Sequence, residues 1–176
     1  MNPQIEFHII FFSDIHHCSH IFAALNEKFF DFIQDVFEMM GDIIVENKGE
    51  ILKYEGDSLL AILPENKEKE IITGAIEMRK MYQIILNKYE IKTESEIEIG
   101  IGSGKIMAGT IGHKSLKMKE IYGFPVFDVG KLTHHRGLAI TQGVYDKVKD
   151  HFQTRRLPDM EVRWREEGVA CWEIVE

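Results

Sequence analysis

The most constraining feature of this chain is the apolar run over residues 5–12, rich in Ile and Phe, which stops at Ser13-Asp14. Apolar residues fall on both sides of an extended chain here. The run therefore predicts a strand buried on both faces, and it leaves Asp14 at the strand's end. A second segment, Lys53-Tyr54-Glu55-Gly56-Asp57-Ser58-Leu59-Leu60-Ala61, sets a lysine, a tight glycine turn and a carboxylate between two strand-forming runs. The strands are predicted over 51–54 and 59–63, with the break at Glu55-Gly56-Asp57 and a stop at Pro64. We read the two segments as lying side by side, so that Asp14 and Asp57 share bound cations.

Composition narrows the function. The chain has 176 residues, the size of a single domain, and we read 1–176 as one. Its net charge of -8 argues against a nucleic-acid partner or an anionic membrane, since either asks for a basic patch. An acidic protein still binds a polyanion when a metal ion supplies the positive charge. The two cysteines, Cys18 and Cys171, form no CxxC pair and fit a reducing compartment. The longest apolar run is too short to cross a bilayer, and no basic-then-apolar leader opens the chain. The expectation is a cytoplasmic domain without direct membrane insertion.

The remaining pattern supplies helices and strands in a definite order. Ser19 is a plausible N-cap, and a helix is predicted over 23–47, its apolar stripe running through Phe29, Phe32, Val36, Met40 and Ile44 and ending at Lys48-Gly49. A second amphipathic helix spans 68–87. Residues 96–102 alternate charged and apolar side chains, as a half-exposed strand does. Ser103-Gly104 then reads as a hairpin turn, 105–108 as its return, 109–119 as a loop and 120–122 as a short strand. A helix is predicted over 124–135 with Pro125 in its first turn, a strand over 138–141, a helix over 142–152 and a C-terminal hairpin after Arg155. The order β-α-β-β-α-β with C-terminal additions predicts an α+β, ferredoxin-like fold: a mixed sheet with helices packed on one face.

Three segments, in order, resemble the class III nucleotidyl cyclase catalytic domain. Phe11-Phe12-Ser13-Asp14-Ile15 is similar to the family's F-S-D-I segment. Lys53-Tyr54-Glu55-Gly56-Asp57 through Ala61 resembles its K-Y-x-G-D hairpin. Ile99-Gly100-Ile101 through Gly104, with Gly109-Thr110-Ile111-Gly112, resembles its I-G-I-x-x-G…G-x-I-G segment. The resemblance implies a reaction in which the 3′-hydroxyl of a nucleoside triphosphate attacks its own α-phosphorus, giving a cyclic monophosphate and pyrophosphate. It implies two Mg²⁺ or Mn²⁺ ions, held by Asp14, Asp57 and the backbone carbonyl of Ile15. It implies a homodimer, with the active site between subunits. Lys53 and Glu120 match the base-selecting positions. A lysine only donates, so it serves N1 of adenine and also O6 of guanine. With Glu120 to accept from the adenine amino group, the pair favours ATP among nucleoside triphosphates.

The resemblance breaks in the following motif. Phe127 stands at the substrate-binding position where the family has Asn, and Lys131 at the catalytic position where it has Arg. Phe127 makes no hydrogen bond, and Lys131 lacks the planar fork of a guanidinium. One lost preorganised contact of this kind commonly costs roughly 3–4 kcal/mol of barrier. His17 also replaces a glycine of the loop that wraps the triphosphate. Two functions are thus expected: an adenylate cyclase in which Lys131 or Arg136 supplies the cation, or a metal–nucleotide binding module with little turnover, one variant of which is half of a heterodimer. A diguanylate cyclase lacks support because no G-G-[DE]-[DE]-F signature is present. His16, His17, Cys18 and His20 read as a polar loop rather than a metal cluster.

Overall fold

A computed structural model describes residues 3–175. The predicted central strand is there and is longer than expected: β1 spans Gln4–Ile15 and carries Asp14 within it. It pairs antiparallel with β3 (Ser58–Leu63) on one side and β4 (Ile97–His113) on the other. The other strands are β2 (Glu50–Glu55), β5 (Leu116–Tyr122), β6 (Leu138–Thr141), β7 (Thr154–Arg156) and β8 (Cys171–Ile174). The sheet order is β2-β3-β1-β4-β6-β8-β7, with β5 paired to the far end of β4. Only β4 and β6 run parallel among the described pairs. Strands β2-β3-β1-β4 form the ferredoxin-like core, and the expected C-terminal hairpin is the β7–β8 pair.

Alternation along β1 splits the core in two. Ile9, Phe11 and Ile15 join Ile97, Ile99 and Ile101 in a large cluster under α1 (Cys18–Leu25), α2 (Phe29–Glu46), α3 (Glu68–Lys88) and α5 (Gln142–Val148). Ile10 and Phe12 face the other way, with Leu60, Ile62, Ile106 and Val129 of α4 (Phe124–Leu132). The expectation of helices on one face is therefore corrected: α4 covers the second face. A strand apolar on both sides needs such a cover.

Glycine spacing explains both that cover and a misread turn. Gly100, Gly102 and Gly104 share one face of β4. A Cβ on Gly100 would lie 2.6 Å from the Val129 carbonyl oxygen, and one on Gly104 would lie 2.5 Å from Pro125 Cγ. These residues let α4 lie directly on the strand. Ser103-Gly104 is thus mid-strand, paired to Ile9 and His8, and not a hairpin turn. The turn comes later, between His113 and Leu116, so the supposed loop over 109–119 is mostly a two-stranded arm.

The first long helix is also in two pieces, joined by a 3-10 turn at Asn26–Lys28. Its N-cap is His17, in a left-handed conformation with φ 60°, and not Ser19. At the end of α2, Lys48 takes the left-handed position with φ 63°. Gly49 is required for space instead, since its Cβ would meet Ile44 Cγ2 at 2.6 Å. Helices α4 and α5 stop at Leu132 and Val148, short of the predicted ends.

Candidate active site

The two aspartates meet at one end of the sheet. β1 delivers Asp14, and the β2–β3 turn, with Gly56 at φ 64°, delivers Asp57. Ser58 Oγ donates to Asp14 Oδ1 at 2.6 Å. The Asp57 carboxylate accepts from the backbone amide of Ile15 and from the Cys18 thiol. Burial pushes the Asp57 carboxyl above its ordinary range, and the charge on Asp14 pushes it further. Burial, then Asp57, pushes the Cys18 thiol up to about 12. Two facing carboxylates with uncompensated charge are relieved by a divalent cation. The Ile15 side chain is buried, so only its backbone faces the pair. Among the described residues no group of three or more His, Cys, Asp or Glu side chains is arranged to hold a metal. Two carboxylates are nonetheless a fit for Mg²⁺, which keeps waters and takes substrate phosphates as its remaining ligands.

One neighbour of this pair is invisible in the linear pattern. Glu98 is the cross-strand partner of Asp14 and is only 7% exposed. Its carboxyl is raised by burial, and it bonds His16 Nδ1 at 3.0 Å. Alternation over 96–102 suggested an exposed side chain here; the β1–β4 register buries it. The histidines of the loop contact one another, with the His16 and His17 rings tilted at 41° and 3.8 Å apart and His17 Nδ1 3.0 Å from the Glu94 carbonyl.

The base-selecting candidates also meet. Lys53 Nζ, from β2, donates to both Glu120 oxygens, from β5, at 3.0 and 3.1 Å. Both side chains are partly exposed. Together they present a donor and an acceptor side by side.

The α4 residues have different company. Phe127 is 45% exposed, and its ring centre lies 5.5 Å from that of Trp164. Lys131 Nζ donates to the Glu161 carbonyl at 3.1 Å. Arg136 is held by Glu94 and Glu96, each at 2.6 Å. Between Phe127 and Lys131, the buried Asp128 accepts from Trp164 Nε1 at 3.0 Å and from Arg165. Sequence reading missed Asp128, Trp164 and Arg165. The only signal was a carboxylate on the inner side of a helix, with partners more than thirty residues away.

Over residues 3–174 the chain matches the family described as Adenylate and Guanylate cyclase catalytic domain. The chain belongs to this family. It is similar to an adenylate cyclase of Anabaena cylindrica, 24% identical over 94% of this chain and 36% of the relative. The chain thus spans about a third of that relative's length. Among solved structures, the adenylyl cyclase CyaB of P. aeruginosa superposes with a TM-score of 0.91 at 21% identity, covering 100% of this chain and 97% of that one. The guanylate cyclase domain of RhGC from Catenaria anguillulae, in complex with GTP, gives 0.81 at 19% identity, covering 98% of each. The cyclase fold of this family member includes the α+β sheet and the α4 cover. No helix among the described residues is long and apolar enough to cross a membrane.

Proposed function

We propose that this cyclase domain is an adenylate cyclase, converting ATP to 3′,5′-cyclic AMP and pyrophosphate as a homodimer. The observation that carries the proposal is the Asp14–Asp57 pair, two carboxylates held together at the cost of a raised Asp57 pKa. Asp14, Asp57 and the Ile15 carbonyl would hold two Mg²⁺ or Mn²⁺ ions. When bound, such ions would supply a Lewis acid for the 3′-hydroxyl and positive charge for the phosphates. The hydroxyl oxygen bonds to the α-phosphorus, its proton passes to solvent water, and the bond from the α-phosphorus to the bridging β-phosphate oxygen breaks to release pyrophosphate.

The protein's own groups do the rest. Lys53 donates to adenine N1 and Glu120 accepts from the amino group. Lys131 leaves the Glu161 carbonyl for the developing negative charge at phosphorus, as a point charge without bidentate geometry. The dimer reading is supported by exposed apolar residues on the β4–β5 arm, Ile111, Leu116 and Met118. Residues 1–176 act as one catalytic domain. Free Cys18 and Cys171 support a cytoplasmic setting.

A second reading is favoured by two observations on α4. Phe127 offers no hydrogen bond, and Lys131 is already engaged at Glu161. On that reading the domain binds metal–nucleotide and turns over little, or pairs with a different subunit. The test is purified protein with Mn²⁺ and each nucleoside triphosphate, reading cyclic product and pyrophosphate. Product from ATP, absent in Asp57→Ala, supports the first reading. Metal-dependent ATP binding without product leaves the second. Turnover of GTP, UTP or CTP in place of ATP overturns the base assignment.

A further inference from the structure

We infer that Phe127 and Trp164 form an aromatic surface on which the nucleoside of the substrate packs, replacing a hydrogen bond with face-to-face contact. The inference rests on the cyclase reading above, and it assigns Trp164 a part in substrate binding. Trp164 comes from the segment between β7 and β8, far from every motif that identified the site.

Two contacts to Asp128 of α4 fix that segment independently of Lys131: Trp164 Nε1 donates to Asp128 Oδ1 at 3.0 Å, and Arg165 donates to the other Asp128 oxygen. Asp128 is 4% exposed, and burial raises its pKa. A buried carboxylate holds its partners firmly, since losing them leaves it desolvated and unpaired. The Trp164 ring is therefore not a loose surface group. Its plane is inclined 57° to that of Phe127, with centroids 5.5 Å apart. Phe127 remains 45% exposed beside it.

Flat groups with apolar faces suit an exposed ring held beside a fixed one. Phe127 lies seven residues after Glu120 in the chain, and α4 sits on the same sheet face as Leu60 and Ile62. Lys53, opposite Leu60 in the β2–β3 register, belongs to that face as well. Lys53 and Glu120 read a base at its edge, where donors and acceptors lie. Edge contacts leave the faces of base and ribose uncovered, and aromatic rings cover them without demanding a hydroxyl. Stacking of a base on an aromatic side chain is worth about 1–3 kcal/mol by alanine substitution, a fold-change of roughly 5 to 150 in affinity.

The test follows tryptophan emission and calorimetric heat on the same samples of the whole chain, titrated with ATP in the presence of Mn²⁺. Emission is expected to fall as ATP saturates the protein, with one Kd by both methods. Inorganic tripolyphosphate, which has no nucleoside, should leave emission unchanged. Trp164→Phe keeps a ring but loses the donor to Asp128, so it should lose the emission change and weaken ATP less than Trp164→Ala, which should weaken ATP roughly 5- to 150-fold and tripolyphosphate not at all. Trp172 stays as a constant background, stacked on Tyr145 at 3.7 Å. Calorimetric binding of ATP with unaltered emission and an unaltered Kd in Trp164→Ala overturns this inference and leaves the cyclase reading standing. Absence of ATP binding by calorimetry overturns both.

Discussion

The carboxylate end of the sheet and the α4 end are built by different means. Asp14 and Asp57 are placed by strand register and a tight turn, within hydrogen-bond reach of Ser58, Ile15 and Cys18. Phe127 and Lys131 are placed by a helix on the second face and a distant segment latched to it through Asp128. The first end keeps the donor set its family resemblance implies. The second has exchanged a hydrogen-bonding residue for an aromatic one and a guanidinium for an ammonium. A site half fixed by register and half by long-range packing can change one half without disturbing the other.

Four experiments sharpen or break that division. The largest effect is expected from Asp57→Ala, which should take cyclic product from ATP below detection while leaving circular dichroism unchanged; retained turnover would separate the carboxylate end from catalysis. Next, Phe127→Asn combined with Lys131→Arg should raise kcat by roughly 10²-fold, because a preorganised donor and a fork are restored. A fall in kcat would mean that the aromatic surface is already the better solution here. Third, Gly100→Ala places a Cβ 2.6 Å from the Val129 carbonyl and should destabilise the fold by about 1–3 kcal/mol in urea melts. That variant disturbs the seat of α4 and should spare the Asp14–Asp57 pair.

The smallest effect concerns pH. Burial, then the Asp14 charge, raises the Asp57 pKa above its unfolded value. The stability from that group is therefore present below the unfolded pKa and lost as pH rises through the folded one. Metal-free protein should melt lower at neutral than at mildly acid pH. Asp57→Asn should raise the neutral melting temperature by about 2–4 °C and flatten the dependence. Mn²⁺ should stabilise the natural chain at neutral pH and leave the variant unmoved. Equal melts for the two proteins at neutral pH would show that Asp57 is not strained.

The first end was legible in the sequence because its information is local. An apolar run ending in Asp14 and a Lys-Tyr-x-Gly-Asp hairpin state their own geometry, and the ferredoxin-like order follows from periodicity. The second end was legible only as a departure, Phe127 and Lys131 at positions where a resemblance expected others. Glycine misled at Ser103-Gly104, because the same residue serves a turn and a close helix approach. Glu98 was misread because alternation does not reveal which strand lies opposite. Trp164 and Arg165 carried no signal, since their meaning depends on Asp128 more than thirty residues earlier in the chain.

The central claim is that nucleotide is held through metal at the Asp14–Asp57 end. Calorimetric titration of ATP into the natural chain and into Asp57→Asn, each with and without Mn²⁺, tests it directly. The account predicts binding by the natural chain with Mn²⁺ and none in the other three arms. Binding of equal strength without Mn²⁺, or in Asp57→Asn, would contradict it.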